Sequence, residues 1–306
     1  MRSIAKDLGR SASTISREVA RNRGAILYRA TDADEAGWER ALRPKPCFLA
    51  GRPKLCALIA SKLASKWSPE QVSGWLKCTF PNDSDMQVSH ETIYRSLFIQ
   101  ARGVLKKELV SHLRSRRMMR RSKLSTTKGR PRGQIIDAVS IRDRPAEVED
   151  RAIPGHWEGD LLTGSRNSHI ATLVERHSRY TVLAEVAGKD TKSVTEALIR
   201  EVGKIPANLR KTLTWDRGSE MAQHKAFTVA TDMKVYFCDP RSPWQRGSNE
   251  NTNRLFRQYF PAGTDLSNFD QNDLDQIAQQ LNERSRKTLG FSTPTIKLHQ
   301  YVATTG

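Results

Sequence analysis

The sequence predicts a multidomain chain that is all-α over its first 110 residues and α/β, with a five-stranded mixed sheet, from residue 151 onward. In the first part, apolar residues recur at helical spacing. In the last part, short runs rich in Val, Ile, Leu and Thr alternate with helical patterns. A long basic stretch lies between the two. We therefore expect four segments, at residues 1–50, 51–110, 111–150 and 151–306.

Two helical patterns occupy the first 22 residues. Gly9 is expected to end the first helix, and Ser13 is expected to cap a second helix that carries Ile15 and Val19 on its inner face. The spacing is typical of a helix-turn-helix, and the unit is expected to be partial because no helix precedes it in the sequence. The residues expected to pack the first helix are Ile4, Ala5 and Leu8. The residues expected on the outer, DNA-reading face of the second helix are Thr14, Ser16, Arg17 and Arg21. A merely solvated helix would show a similar polar face.

A second group of three helices is expected between residues 51 and 110. Apolar spacing predicts a helix over 54–66. Ser68 then supplies an N-cap, a proline follows at the first helical position, and Gln71 completes a capping box. Ser89 is expected to cap a third helix over 90–98, so we interpret the group as a second helix-turn-helix. Its expected DNA-facing residues are His90, Thr92 and Arg95.

The charge of the chain indicates a polyanionic partner. The sequence holds 51 Lys and Arg against 33 Asp and Glu, and residues 1–150 contain 30 of these basic residues against 16 acidic ones. No acid interrupts the run between Glu108 and Asp137. We interpret this run as an extended linker that becomes ordered on double-stranded DNA, with a solvated tether as the alternative. Arg130 and Arg132, flanked by glycine and proline, then fit a minor groove.

Other classes of protein are excluded by the same sequence. The apolar runs are far shorter than the roughly 18 residues of a membrane span. The first residues show no signal-peptide pattern, so we expect a cytoplasmic protein. The four cysteines are too scattered for a disulfide framework or a zinc finger.

The chain from residue 157 onward has the pattern of an α/β domain. Three successive strand candidates are separated by short turns, and helices and strands then alternate. The expected strands are 157–163, 170–175, 180–186, 212–215 and 234–238. The expected helices are 191–202, a helix near 221–230, 248–260 and 270–284. Three antiparallel strands followed by alternating helices and strands is the order of a ribonuclease-H-like domain, as in retroviral integrases.

Three acidic residues lie where such a sheet would gather them. Asp160 is within the first strand, Asp216 directly follows the fourth, and Glu250 opens a helix, with 55 and 33 residues between them. Phosphodiester chemistry without a covalent protein intermediate uses two divalent ions about 3.5–4 Å apart, and Mg²⁺ prefers oxygen ligands. The three acids are therefore candidate metal ligands and catalytic residues. Arg254 and Arg257 share the helical face of Glu250 and are candidate contacts to DNA phosphates.

The spacing of the acids leaves other interpretations open. Asp216 precedes an Arg-Gly pair and is also typical of a turn residue. Glu250 is also spaced as an ion-pair partner of Arg254. Glu158 lies two residues before Asp160 on the same strand face and is an equally placed ligand.

Several longer strings stand out along the chain: Ser13-Thr-Ile-Ser-Arg-Glu, Trp67-Ser-Pro-Glu-Gln-Val-Ser-Gly, Val88-Ser-His-Glu-Thr-Ile-Tyr, His156-Trp-Glu-Gly-Asp-Leu, Thr214-Trp-Asp-Arg-Gly, Ser248-Asn-Glu-Asn-Thr-Asn, Arg257-Gln-Tyr-Phe-Pro and Arg286-Lys-Thr-Leu-Gly-Phe. With these strings the chain resembles one known family, the bacterial insertion-sequence transposases of the IS-thirty type, which belong to the DDE class. The strings follow the family's order over nearly the whole chain.

The resemblance implies a ribonuclease-H-like catalytic domain in which Asp160, Asp216 and Glu250 bind two Mg²⁺ ions, with Mn²⁺ as a substitute. It also implies that Arg257 is the basic residue that the family places after its glutamate. The helix-turn-helix regions would bind the terminal inverted repeats of the element, and bringing two DNA ends together implies a homodimer or a higher oligomer. The chain departs from the family in a shorter N-terminal region and in Ser285, where proline is common.

Two alternative functions remain. A shortened copy of such an enzyme would be an idle DNA-binding relic or a repressor. A structure-specific RNA or DNA nuclease is less favoured, because helix-turn-helix units suit the major groove of a DNA duplex better than the narrow one of RNA.

Overall fold

The computed structural model describes residues 1–41, 48–98, 109, 112–113, 138–145, 148, 153–216, 218–239 and 242–305. Most of the predicted basic linker, including Arg130 and Arg132, lies outside these residues. The chain divides into two compact units, Met1–Phe48 and Leu49–Gly306. None of the described helices is long and apolar enough to cross a membrane.

The first unit is helical. Its helices are α1 (Arg2–Asp7), α2 (Ala12–Arg21), α3 (Gly24–Leu27) and α4 (Ala30–Ala41). Gly9 has a φ of +60°, a left-handed backbone conformation that ends the helical path after α1, as expected. At the end of α2, the amide oxygen of Asn22 accepts hydrogen bonds from both terminal nitrogens of Arg40, at 3.2 Å each, and so joins α2 to α4. The sequence patterns did not predict α4.

Two expectations for this unit are wrong. The N-cap of α2 is Ser11 and not Ser13, because Ser11 is the last extended residue and its hydroxyl accepts the Thr14 N–H at 3.2 Å. Ile4 and Leu8 are 49% and 62% exposed, so they do not pack α1. A helix of six residues makes fewer than two turns, and its buried residue is Ala5.

The second unit begins with the predicted three-helix group. It consists of α5 (Pro53–Ala64), α6 (Pro69–Thr79) and α7 (His90–Phe98). Ser68 and Gln71 form both hydrogen bonds of the capping box at the start of α6. The Ser89 hydroxyl accepts the Thr92 N–H at 3.2 Å at the start of α7. The core of the group, each residue at most 4% exposed, is Leu55, Ile59, Leu63, Val72, Leu76, Ile93 and Leu97.

A five-stranded mixed sheet follows. Its strands are β1 (His156–Thr163), β2 (His169–Glu175), β3 (Thr181–Val186), β4 (Thr212–Trp215) and β5 (Lys234–Phe237). The strand order is β3-β2-β1-β4-β5. The β1, β2 and β3 strands pair antiparallel, whereas β1, β4 and β5 pair parallel. The predicted meander, followed by parallel strands with helical crossovers, is confirmed.

Helices complete the domain. They are α8 (Thr191–Gly203), α9 (His224–Thr231), α10 (Gly247–Phe256), α11 (Gln271–Asn282) and α12 (Pro294–Thr305). Two separate apolar clusters involve the sheet, one containing residues of α8, α9 and α12 and the other containing residues of α10 and α11. The sequence patterns missed α12. They also extended α10 to Phe260, where the following Pro261 disfavours helical backbone.

Within the second unit, α6 packs against the chain that follows α11. Gln71 Nε2 donates to the Ser285 carbonyl at 2.7 Å, and Lys287 Nζ lies 2.6 Å from a Glu70 carboxylate oxygen. Gly74 faces the ring of Phe291 so closely that a Cβ at this position would overlap three ring carbons. The three-helix group is therefore anchored to the sheet domain, and Ser285, the departure from the family pattern, lies in that contact.

Candidate active site

Two of the predicted acids meet at one end of the sheet. The β1 and β4 strands are parallel neighbours with Glu158 opposite Thr214. Asp160 and Asp216 lie two residues further along their chains, so the register brings them side by side. The guanidinium of Arg246 joins them: its Nη1 is 3.2 Å from Asp160 Oδ1 and its Nη2 is 3.5 Å from Asp216 Oδ2.

Each aspartate makes further hydrogen bonds. Asp160 Oδ1 accepts the Leu161 N–H at 3.0 Å, and its Oδ2 accepts from the side-chain amide of Asn253 at 3.0 Å. Asp216 Oδ1 accepts the Gly218 N–H at 3.0 Å, as a turn residue would. Its other oxygen faces Arg246. Asp216 therefore both shapes its turn and presents an oxygen to the site.

The electrostatics of this pair favour a bound cation. Burial raises the pKa of the Asp160 carboxyl; Arg246 opposes this effect and the Asp216 charge adds to it. Burial lowers the pKa of Arg246, but the charges of the two aspartates outweigh it and raise that pKa. Two carboxylate side chains therefore lie around one guanidinium. Their oxygens are also the donor type that Mg²⁺ prefers, so the residues present fit a divalent ion.

Glu250 lies on the helix above these acids without joining them. It is in the first turn of α10 and is exposed. Arg246, four residues before it, and Asn253, three residues after it, both contact Asp160. Residues at these spacings share one helical face, so Glu250 belongs to the face of α10 that covers Asp160. Among the described residues, no three acidic, His or Cys side chains are grouped closely enough to hold a metal ion.

The alternative roles of Glu250 and Glu158 can be compared with this geometry. No ion pair joins Glu250 to Arg254 among the described side chains. Glu158 is fully buried; one carboxylate oxygen is 3.5 Å from Arg176, and the other accepts the Asn249 N–H at 2.9 Å. Glu158 thus holds the start of α10 to β1, which favours a structural role for it.

The candidate DNA contacts are mostly exposed. Thr14, Ser16, Arg17 and Arg21 lie on the surface of α2. On α7, His90 and Arg95 are exposed, whereas Thr92 is half-buried, with its hydroxyl 2.9 Å from that of Ser89. Arg254 and Arg257 are exposed along and just after α10.

The sequence analysis missed three side chains of the site, namely Arg246, Asn253 and Arg176. The helical spacing of Arg246 and Asn253 from Glu250 was the available signal for two of them.

Comparison with known proteins gives two family matches. Residues 150–243 match the family described as integrase core domain, and residues 1–22 match a helix-turn-helix domain family. The transposase InsI of insertion sequence element IS30A from Escherichia coli strain K12 is 50% identical over 307 residues, which cover 100% of this chain and 80% of that protein. The chain belongs to the IS30 family of transposases.

Other relatives extend this family assignment. The transposase of element IS1086 from Cupriavidus metallidurans is 45% identical, over 99% of this chain and 90% of that protein. The transposase of element IS4351 from Bacteroides fragilis is 33% identical, over 98% and 90%. The integrase-core match of this IS30-family chain includes Asp160 and Asp216 and ends before Arg246 and Glu250. The predicted family and fold class are confirmed.

Proposed function

We propose that this chain is a transposase that binds the terminal inverted repeats of an insertion sequence and catalyses metal-dependent DNA cleavage and strand transfer. The observation that carries the proposal is the meeting of Asp160 and Asp216 at one guanidinium, on neighbouring parallel strands of an integrase core. We assign the third catalytic and metal-binding position to Glu250, on the helix face that covers Asp160. The two reaction steps are in-line displacements at phosphorus, first by water and then by the freed 3′-hydroxyl.

Divalent metal chemistry is general for this class of integrase core, and we propose two Mg²⁺ ions, with Mn²⁺ as a substitute. When bound, they would activate the attacking oxygen and stabilise the leaving oxygen. The residues of the chain hold the acids for this purpose. Asn253 orients one Asp160 oxygen through its amide, and the Gly218 N–H fixes one oxygen of Asp216. The Glu158–Arg176 pair holds the start of α10, and therefore Glu250, against β1.

The proposed partner is double-stranded DNA. We assign base and phosphate contacts to the polar outer faces of α2 and α7 and phosphate contacts to Arg254 and Arg257. Arg130 and Arg132 of the proposed linker at 111–150 would follow the minor groove. We propose the domain boundaries 1–50, 51–110, 111–150 and 151–306, a homodimer or higher oligomer that pairs two element ends, and action on nucleoid DNA in the bacterial cytoplasm.

One observation favours a second candidate, an idle DNA-binding relic or repressor. The third acid is exposed and does not join the aspartates among the described residues. In that case the chain would protect the element's ends without cutting them.

A nicking assay separates the two functions. The substrate is a duplex that carries the inverted repeat next to the gene, incubated with Mg²⁺ or Mn²⁺. Wild type is compared with Asp160→Asn and Glu250→Gln, and with Glu196→Gln as a matched control on an exposed acid of α8. We expect metal-dependent nicks at the repeat boundary with wild type and the control only. Footprint protection without a nick would instead establish the binder, and full cleavage by Asp160→Asn would contradict the assignment of the acids.

A further inference from the structure

A cavity lined by basic side chains lies beside the proposed active site. Its volume is about 410 Å³, and its lining residues are Arg176, His177, Arg179, Thr288, Leu289 and Lys297. They come from the β2–β3 turn, the turn that follows α11, and α12. Of the described residues that line it, none is acidic. We call this site the basic cavity.

The surroundings of the basic cavity add positive charge. Arg286, next to the lining turn, is 9% exposed, and its Nη2 donates to the Leu281 carbonyl at 3.1 Å, while its Nε has no hydrogen-bond partner among the described residues. Burial and the charges of Arg284 and Arg179, opposed by Tyr259, together lower the pKa of Arg286 to about 9. Like charges gathered around a cavity repel one another unless an anion enters, so this region selects anionic ligands.

Two of the lining residues connect the basic cavity to the acids. Arg179 donates a hydrogen bond to the Ser248 hydroxyl, two residues before Glu250 on α10. Arg176 pairs with Glu158, two residues before Asp160 on β1. Two residues of a strand span about 7 Å. The ion pair adds 3.5 Å, so the Arg176 end of the basic cavity lies roughly 10 Å from Asp160, which is about the rise of three nucleotides along one DNA strand.

We propose that the basic cavity binds a backbone phosphate of the DNA substrate, about three nucleotides from the phosphate that is cut. Arg179 and Lys297 supply the charge, and the Thr288 hydroxyl supplies a further hydrogen-bond donor. Arg176 stays paired with Glu158 and positions the turn. The inference rests on the proposed function, since it assigns a DNA contact to the same active site.

The test measures DNA binding without metal, so that it does not depend on the acids. Fluorescence anisotropy with a duplex of the element's own end gives the Kd of wild type, Arg179→Gln, Lys297→Gln and the control Lys192→Gln across a salt series. Lys192 is exposed at the start of α8. This helix follows the last residue of β3, whereas the β2–β3 turn that lines the cavity precedes the first residue of that strand. A parallel set of duplexes carries one neutral methylphosphonate at successive positions near the cleavage site. Thermal unfolding of each variant shows whether it folds.

We expect each of the two cavity variants to bind about tenfold more weakly, as for the loss of one charge-assisted hydrogen bond. The slope of the logarithm of the binding constant against the logarithm of the salt concentration should decrease in magnitude by about 0.9, the value for one phosphate contact. One methylphosphonate position should weaken wild type and leave Lys297→Gln unaffected. Equal slopes in Lys297→Gln and Lys192→Gln, with wild type still nicking DNA, would overturn the cavity inference alone. Failure of wild type to bind any duplex would overturn the proposed function with it.

Discussion

Replacing Gly74 with alanine is expected to destabilise the chain, although the same change at an open helical position stabilises. Gly74 lies within α6 and faces the ring of Phe291, in the turn that follows α11. A methyl group at this position would lie far inside the contact distance of about 3.5–4.0 Å from the Cδ1, Cε1 and Cζ atoms of the ring. The ring or the helix must therefore move.

The magnitude follows from two opposing terms. Alanine in place of glycine within a helix gains roughly 0.5–1 kcal/mol through backbone entropy. Overpacking a well-filled contact costs roughly 1–3 kcal/mol. We expect a net loss of about 1–2 kcal/mol in the free energy of unfolding. At Gly203, the end of α8, a Cβ would meet no other atom of the described residues within 4 Å, so Gly203→Ala should be stabilising or neutral.

Urea unfolding followed by tryptophan fluorescence measures these changes, because Trp75 lies next to Gly74 on α6. The sharper assay is a double-mutant cycle with Phe291→Ala. Once the ring is gone, Gly74→Ala should become stabilising, which gives a coupling energy of about 2 kcal/mol. If Gly74→Ala, introduced alone into the wild-type chain, raises stability as much as Gly203→Ala does, then α6 and the turn that carries Phe291 are not in close contact and the reasoning is refuted.

Three further predictions concern the site and its support. Arg246→Gln should bind Mn²⁺ about tenfold more tightly than wild type, because a bound ion competes with this guanidinium for both aspartates. Titration calorimetry without DNA measures the affinity, and an unchanged affinity would contradict that competition. Glu158→Gln should lose roughly 3–5 kcal/mol in urea unfolding, because it breaks the buried ion pair with Arg176, yet keep Mn²⁺ binding if Glu158 is no ligand. Burial, with nearby positive charges, lowers the pKa of His156 to about 4 from 6.5. The unfolded chain takes up that proton first, so stability should fall as the pH drops from about 6.5 to 4; a His156→Gln variant with the same pH dependence as wild type would refute this.

Local patterns predicted most of the elements. The capping box at Ser68 and the antiparallel meander are confirmed because each depends on neighbouring residues or on short connections. The Ser11 cap was missed because Ser13 offers the same chemistry two residues later, and only the backbone conformation distinguishes them. The prediction that Ile4 is packed was wrong, because helical periodicity shows which residues share a helix face but not whether another element covers that face.

The candidate site was predictable in part. The register of the adjacent parallel strands β1 and β4 brings Asp160 and Asp216 together, as expected for a ribonuclease-H-like sheet. The central position of Arg246 could not be read from the sequence, because a basic residue before a helix is equally suited to solvent or to a phosphate. The exposed position of Glu250 depends on the tertiary position of α10, which no local pattern specifies.

The position of β1 in the middle of the sheet also sets the order in which the site assembles. On one side β1 pairs with β2 through a short turn, so this hairpin forms from local contacts. On the other side it pairs with β4, about 50 residues later and beyond α8, at a greater cost in loop closure. We therefore expect Asp160 to be paired in a sheet before Asp216 joins it during folding. A partly unfolded chain in which β4 has separated from β1 has only half of the aspartate pair, so we expect it to be unable to cut DNA.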